Sequence, residues 1–286
     1  MKEINYSRMA RPRNTCIYIL LILACIYIAF ALLYTNRVES FTTYSLPRII
    51  WTYWHDPQIP PKIKKIIRER EAVLSSWEHR LLNEETVYDY IPLDAFPDGY
   101  FELSHQHKAD WIRLYLLKTY AGCWMDASII VNRSDEIEEM YRESILAKSE
   151  LSAYSDAGDR NYIETFLIMA PADSKVIELW LSEYTSAISS GFLPYKKKVT
   201  SKIDVSNCFA DDNDVYLITS AALQYTLRVH LYNKPPMILK DRYKNMYKYL
   251  AECNHDSKCI IEKIKNTPKE QQPSTIKLTR FNREYL

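Results

Sequence analysis

Glycine is scarce: the 286-residue chain holds 4. Proline and asparagine must carry much of the turn chemistry, and each glycine gains weight as a marker of unusual backbone. Charge of one sign is missing too, since 37 Lys and Arg face 36 Asp and Glu for a formal net charge of +1. No global field draws the chain to nucleic acid or to an anionic polymer. The sequence also lacks a His-rich metal cluster, a serine nucleophile elbow and a two-metal carboxylate set, which sets a tethered hydrolase or nuclease aside. No internal repeat is present, and no second domain boundary interrupts the globular part.

What is present begins with Cys16 to Tyr34 (CIYILLILACIYIAFALLY), a run without a charged residue. As a helix it spans about 28 Å, enough to cross a bilayer. Lys2, Arg8, Arg11 and Arg13 precede it while Arg37 and Glu39 follow. The positive-inside rule then keeps the N-terminus cytoplasmic and sends the large domain across. The expected organisation is a cytoplasmic tail (1–14), a transmembrane signal anchor (15–35), a stem (36–46) and one globular domain (47–286). This is a single-pass type II protein facing a Golgi- or ER-like lumen or its equivalent. A cleavable signal peptide is the rival, although its apolar region is usually shorter and ends in a small-residue cleavage site. Cys253 and Cys259 admit a disulfide, a metal site with His255, or two unpaired thiols. Asn132-Arg133-Ser134 is a formal glycosylation sequon.

In the domain, Arg48 to Trp54 is apolar, β-branched and aromatic between prolines, as in a buried parallel strand. Pro60-Pro61 opens a helix over Lys62 to Ser75, with Ile63, Ile66, Ile67 and Leu74 at helical spacing. Trp77 to Leu82 reads as a second strand, Asp89 to Phe101 as a loop, and His105 to Tyr120 as a helix that Gly122 ends. Cys123 to Val131 reads as one strand carrying Asp126. Glu150 to Tyr154 and Thr165 to Met169 are expected as strands, and Ser174 to Ile188 and Val215 to Val229 as helices. The polar tail from Thr267 is expected to lie along the surface.

A carboxylate in an apolar strand costs several kcal/mol unless a charge or hydrogen bond meets it, about the desolvation penalty of an unpaired group, so Asp126 asks for a functional explanation. At the carboxyl end of its strand it would face the place where open α/β sheets bind ligands. Asp110 and Arg113, one turn apart on the preceding helix, can reach the same cleft. The bland alternative is a surface salt bridge between Asp110 and Arg113, with Asp126 capping a turn. Glu164, Asp211 and Asp212 are candidates for acceptor binding, with Asp211 to Asp214 also readable as a solvated turn. His105 and His107 read as helix-entry surface residues, and Lys196 to Lys198 as a solvated loop.

The segment KADWIRLYLLKTYAGCWMDAS resembles the D-x-x-R … G-G-x-x-x-D-x-D segment of glycosyltransferases with a DXD sugar-binding region. The reading Asp126-Ala127-Ser128 is similar to that of capsular polysaccharide synthesis proteins, and beyond them to initiating mannosyltransferases and glucosylating toxins. The opening LPRIIWTYWHDPQIPP resembles the first strand of the same superfamily. The two matches cover roughly residues 47–131. The resemblance implies an α/β fold of GT-A type, a mixed and mostly parallel sheet flanked by helices, behind one N-terminal transmembrane helix. It also implies a UDP- or GDP-sugar donor, a glycan, glycoprotein or polysaccharide acceptor, and transfer with retention. Asp110, Arg113 and Asp126 would be catalytic, Trp54, Asp110, Arg113 and Ser128 would bind the donor, and Asp126 would hold a divalent cation, Mn or Mg. Ser128 stands in place of a second carboxylate and Ala121 in place of the first glycine of the turn. These departures motivate the alternative of an inactive membrane-anchored sugar or nucleotide-sugar binding protein of the same fold.

Overall fold

The computed structural model of the chain describes residues 23–27 and 44–284. The chain divides into residues 1–43 and 44–286. Within the first unit, residues 23–27 are helical and expose Leu23, Ile26 and Tyr27. The rest of the expected span at 15–35 lies outside the described residues, as do the tail and residues 36–43 of the stem. No helix among the described residues is long and apolar enough to cross a membrane. On that point the expected fold class is corrected to a mixed α/β domain with no membrane-spanning helix among the described residues.

The domain starts where Leu46 is buried and the Tyr44 hydroxyl donates to the Ser149 carbonyl at 3.0 Å. In chain order its elements are β1 (Ile49–Tyr53), α1 (Pro61–Val73), β2 (Glu78–Leu82), α2 (His105–Tyr120), β3 (Gly122–Met125), β4 (Ile129–Val131), α3 (Asp135–Ala147), β5 (Leu151–Asp156) and β6 (Asp159–Ala170). There follow α4 (Lys175–Ser190), α5 (Phe192–Thr200), α6 (Ile218–Tyr225), β7 (Met237–Asp241), α7 (Lys248–Glu252), α8 (Ser257–Asn266), β8 (Thr275–Lys277) and α9 (Arg280–Glu284). A six-stranded sheet runs β2-β1-β3-β6-β5-β7, and β4 and β8 form a separate two-stranded sheet. The pairs β1·β2, β1·β3 and β5·β7 are parallel, while β6 runs antiparallel to both β3 and β5.

Local chemistry accounts for the elements nearest the cleft. Pro61 occupies the first turn of α1, where its missing N–H costs nothing, and Ile63, Ile66, Ile67 and Arg70 turn inward. Ser104 caps α2 by accepting from the His107 amide at 3.4 Å. Trp51, Trp111, Trp124 and Trp180 are fully buried, and each indole N–H finds an oxygen, from Ala121, Thr185, Asp126 and Thr219 respectively. Burial of such large rings is affordable because the one polar atom on each is satisfied.

Several expected boundaries change. The run Cys123 to Val131 is two strands in different sheets, separated by a turn at Asp126 to Ser128 whose Asp126 amide donates to the Phe166 carbonyl at 2.9 Å. Asp126 therefore follows β3 instead of interrupting a strand. The segment from Thr267 supplies β8, with Thr275, Ile276 and Leu278 buried, so it is not a surface tail. The helix expected over Val215 to Val229 is α6 followed by a π-helical turn at Thr226–His230. Lys196 is buried and donates to the carbonyls of Asp211, Asp212 and Asp214, which removes it from the solvated loop expected there. The thiols of Cys253 and Cys259 form a disulfide. The sequon's Asn132 donates its amide to the Pro273 carbonyl at 2.9 Å and to Gln272 at 3.2 Å, so its nitrogen is engaged in the fold.

The turn from α2 into β3 has φ of +60° at Ala121 and +103° at Gly122. A Cβ on Gly122 would lie 2.7 Å from the Ile49 carbonyl oxygen. Gly122→Ala is expected to lower the unfolding free energy by about 2 kcal/mol or more, and Ala121→Gly to raise it by about 1 kcal/mol by removing a strained non-glycine conformation. Urea unfolding of the two variants beside the wild type measures both.

Candidate functional site

The cluster is built from the ends of elements far apart in sequence. One turn of α2 places Asp110 and Arg113 on the same buried face, with Arg113 Nη1 donating to Asp110 Oδ1 at 2.6 Å. The other Asp110 oxygen accepts from the Thr219 hydroxyl of α6 at 2.8 Å. Arg113 Nη2 reaches Asp126 Oδ1 at 3.4 Å, and the guanidinium lies over the Trp124 ring at 4.9 Å. Trp124 Nε1 donates to the same Asp126 oxygen at 2.9 Å. The three residues expected from the sequence thus meet.

The structure adds members that the sequence did not announce. Lys277 Nζ, carried by β8, lies 2.5 Å from Asp126 Oδ2 and 3.0 Å from Ser128 Oγ. From α1, the buried Arg70 donates to the Asp126 carbonyl at 3.0 Å and to the Thr52 hydroxyl at 2.7 Å. Arg283 of α9 sits 5.6 Å over the ring of Trp54, just beyond β1. Trp54 also stacks on His55, and His55 on His105 at 4.0 Å. Lys277 could not be read from spacing, because it follows Asp126 by 151 positions and sits in a polar, proline-containing stretch.

Exposure divides the members. The side chains of Asp110 and Arg113 are 8% and 5% exposed, whereas that of Asp126 is 26% and that of Lys277 12% exposed. Asp110 and Arg113 are thus the buried foundation, and Asp126 and Lys277 form the face. The electrostatics agree with this arrangement. Burial pushes the Asp110 carboxyl up, against the pull of Arg113 and Thr219. Burial also works to raise Asp126, but Lys277 and Arg113 outweigh it and hold the carboxyl below its ordinary range. Lys277 is lowered by burial, with Asp126 opposing and Arg283 and Arg113 adding to the shift. Burial lowers Arg70 to about 10.

The remaining candidates fall on either side of the cluster. Glu164 pairs with Arg242, and burial raises its carboxyl against the pull of Arg242 and Lys277. Asp211 caps the amides of Asn213 and Asp214, the arrangement of a solvated turn. His105 pairs with Glu84 at 3.3 Å, and His107 packs edge-on against Phe192. A cavity of about 420 Å³ lies elsewhere, between α1, β4 and α8, lined by Lys62, Ile66, Ile130, Ile264 and Lys265.

A resident divalent cation needs several oxygen ligands. Asp126 has one oxygen on Trp124 and Arg113 and the other on Lys277, while Ser128 also faces Lys277. No group of three or more His, Cys, Asp or Glu able to hold a metal is present among the described residues. The side chains at Asp126 do not fit the metal site expected there.

Comparison with known proteins adds an independent line. The family described as "Capsular polysaccharide synthesis protein" matches residues 31–272. An O-glycosyltransferase, PaGT, of Phomopsis amygdali is 25% identical over 146 residues, 46% of this chain and 33% of that protein. The match thus spans about a third of the length of that curated relative. A glycosyltransferase involved in glycosylation of the major capsid of PBCV-1 is similar over 84% of this chain and 100% of its own, at 13% identity and a TM-score of 0.42. The apo-form glycosyltransferase GlyE of Streptococcus pneumoniae TIGR4 covers 82% of this chain and 55% of its own, at 14% identity and a TM-score of 0.38.

Removing one partner of a buried ion pair leaves the other uncompensated. Arg113→Met is expected to cost about 3 kcal/mol of stability. The double variant Asp110→Asn with Arg113→Met should regain much of that loss. A double-mutant cycle read by chemical denaturation checks both statements.

Proposed function

The chain belongs to the capsular polysaccharide synthesis protein family, and on that premise we propose that it is a glycosyltransferase moving a sugar from a UDP- or GDP-sugar to a hydroxyl of a glycan or glycoprotein. The observation that carries this reading is the convergence of Asp110, Arg113 and Asp126 just past the carboxyl ends of the parallel strands β1 and β3. Open α/β sheets bind ligands at that end.

In the transfer, the bond between the sugar's anomeric carbon and the diphosphate oxygen breaks with its electron pair on the diphosphate. The acceptor oxygen bonds to that carbon, and the hydroxyl proton ends on the departing diphosphate or on solvent. Arg113, fixed by Asp110, adds positive charge beneath the face where the diphosphate's negative charge develops, with no reorganisation at the moment of reaction. The partly exposed Asp126 carboxylate accepts from sugar hydroxyls, and Trp54 offers a ring to the base. Retention at the anomeric carbon belongs to the same reading. The Cys253–Cys259 disulfide supports an oxidising compartment for the domain.

Incubation with a panel of UDP- and GDP-sugars in Mn²⁺-containing buffer, reading released nucleoside diphosphate, tests the proposal. Release is expected from one donor, falling at least about 100-fold in Asp126→Ala, with the product anomer assigned by NMR. Silence across the panel from a folded protein that binds no donor would overturn it.

A further inference from the structure

We propose that the Lys277 ammonium supplies the counter-charge for the donor diphosphate in the position a divalent cation would take, so that this chain binds nucleoside diphosphate and turns over without metal. The inference rests on the glycosyltransferase reading and specifies how that site works.

A departing diphosphate needs fixed positive charge, which either a cation or protein side chains can supply. Here the side chains already occupy the position. Lys277 Nζ holds Asp126 Oδ2 at 2.5 Å and Ser128 Oγ at 3.0 Å, and Trp124 and Arg113 hold Oδ1. An ion on Asp126 would have to displace Lys277 and then stand beside the Arg113 guanidinium, which reaches Asp126 Oδ1 at 3.4 Å. Counting Arg70, Arg113 and Lys277 against Asp110 and Asp126, the cluster keeps one positive charge in excess. That surplus suits an anion and disfavours a second cation.

The ammonium is also placed by the backbone. Lys277 pairs with Ile129 in the β4·β8 ladder, between the buried Ile276 and Leu278. Its amide donates to the Met246 carbonyl at 2.9 Å, and the Leu278 amide donates to the Ser128 carbonyl at 3.2 Å. An ammonium has three N–H donors. Asp126 and Ser128 take two, and the third is left on a partly exposed side chain beside the Phe166 ring, 5.5 Å from Nζ, as the donor for a phosphate oxygen in this proposal. Lys277 retains its proton throughout, stabilising the charge without taking part in bond exchange.

Calorimetric titration of the full chain with UDP and GDP, once in EDTA and once in Mn²⁺, tests the proposal, with Lys277→Met and Lys277→Arg alongside and urea midpoints as the fold control. The wild type is expected to bind one nucleotide with the same affinity in both buffers, within about twofold, and to release product from its donor equally in both. Lys277→Met should weaken binding in EDTA by about tenfold or more, the scale of one charge-assisted contact. Lys277→Arg should keep most of it. Binding that requires Mn²⁺, or Lys277→Met binding like wild type in EDTA, would overturn the inference and leave the glycosyltransferase reading standing. A folded wild type that binds neither nucleotide in either buffer would overturn both. If Lys277→Met does not fold, the two-buffer comparison of the wild type decides.

Discussion

Burial of the Arg113 guanidinium between Asp110 and Asp126 is the constraint on which the rest of the domain turns. A charge that far from water is tolerable only when each neighbour is fixed, so the packing around it is specified from several directions. Trp124 lies under the guanidinium and donates to Asp126, and Thr219 closes the free side of Asp110 while its carbonyl takes the Trp180 indole. The α2 to β3 turn brings the two carboxylates within reach of one cation. Its tight approach to Ile49 explains why one of four glycines in the chain is spent there.

Around this buried foundation the domain arranges a more exposed face. Asp126 and Lys277 reach solvent, and Trp54 and Arg283 flank them. Arg70 secures the main chain at Asp126 from behind, so the carboxylate can meet a ligand without its turn shifting. Rigid support beneath and partial exposure above is the division that a preorganised binding site requires.

What was legible in the sequence was local. The hydrophobic run of β1, the spacing of Ile63, Ile66 and Ile67, the Asp110–Arg113 turn and the carboxylate after Gly122 all lie within short windows, where periodicity and desolvation cost speak directly. Lys277 was not legible. Its strand has three residues, too few for a periodicity to show, and is placed by pairing with β4. The same limit hid Lys196, whose contacts are carbonyls of a distant turn. The ammonium beside Asp126 was hidden for the same reason, because it comes from a segment that composition alone marks as a surface extension. The membrane-spanning helix was read from an apolar run that lies largely outside the described residues, and the described helices do not supply one.

The distance in sequence between Asp126 and Lys277 bears on how the protein is made. The ribosome adds Lys277 151 residues after its partner, a delay of roughly 10–30 s at ordinary elongation rates. Throughout that interval Asp126 has no lysine to meet, and β4 waits with an unpaired edge. Completion of the cleft is therefore a late event in biosynthesis, and premature termination before β8 leaves a nascent chain that holds every strand of the larger sheet but no ammonium for Asp126.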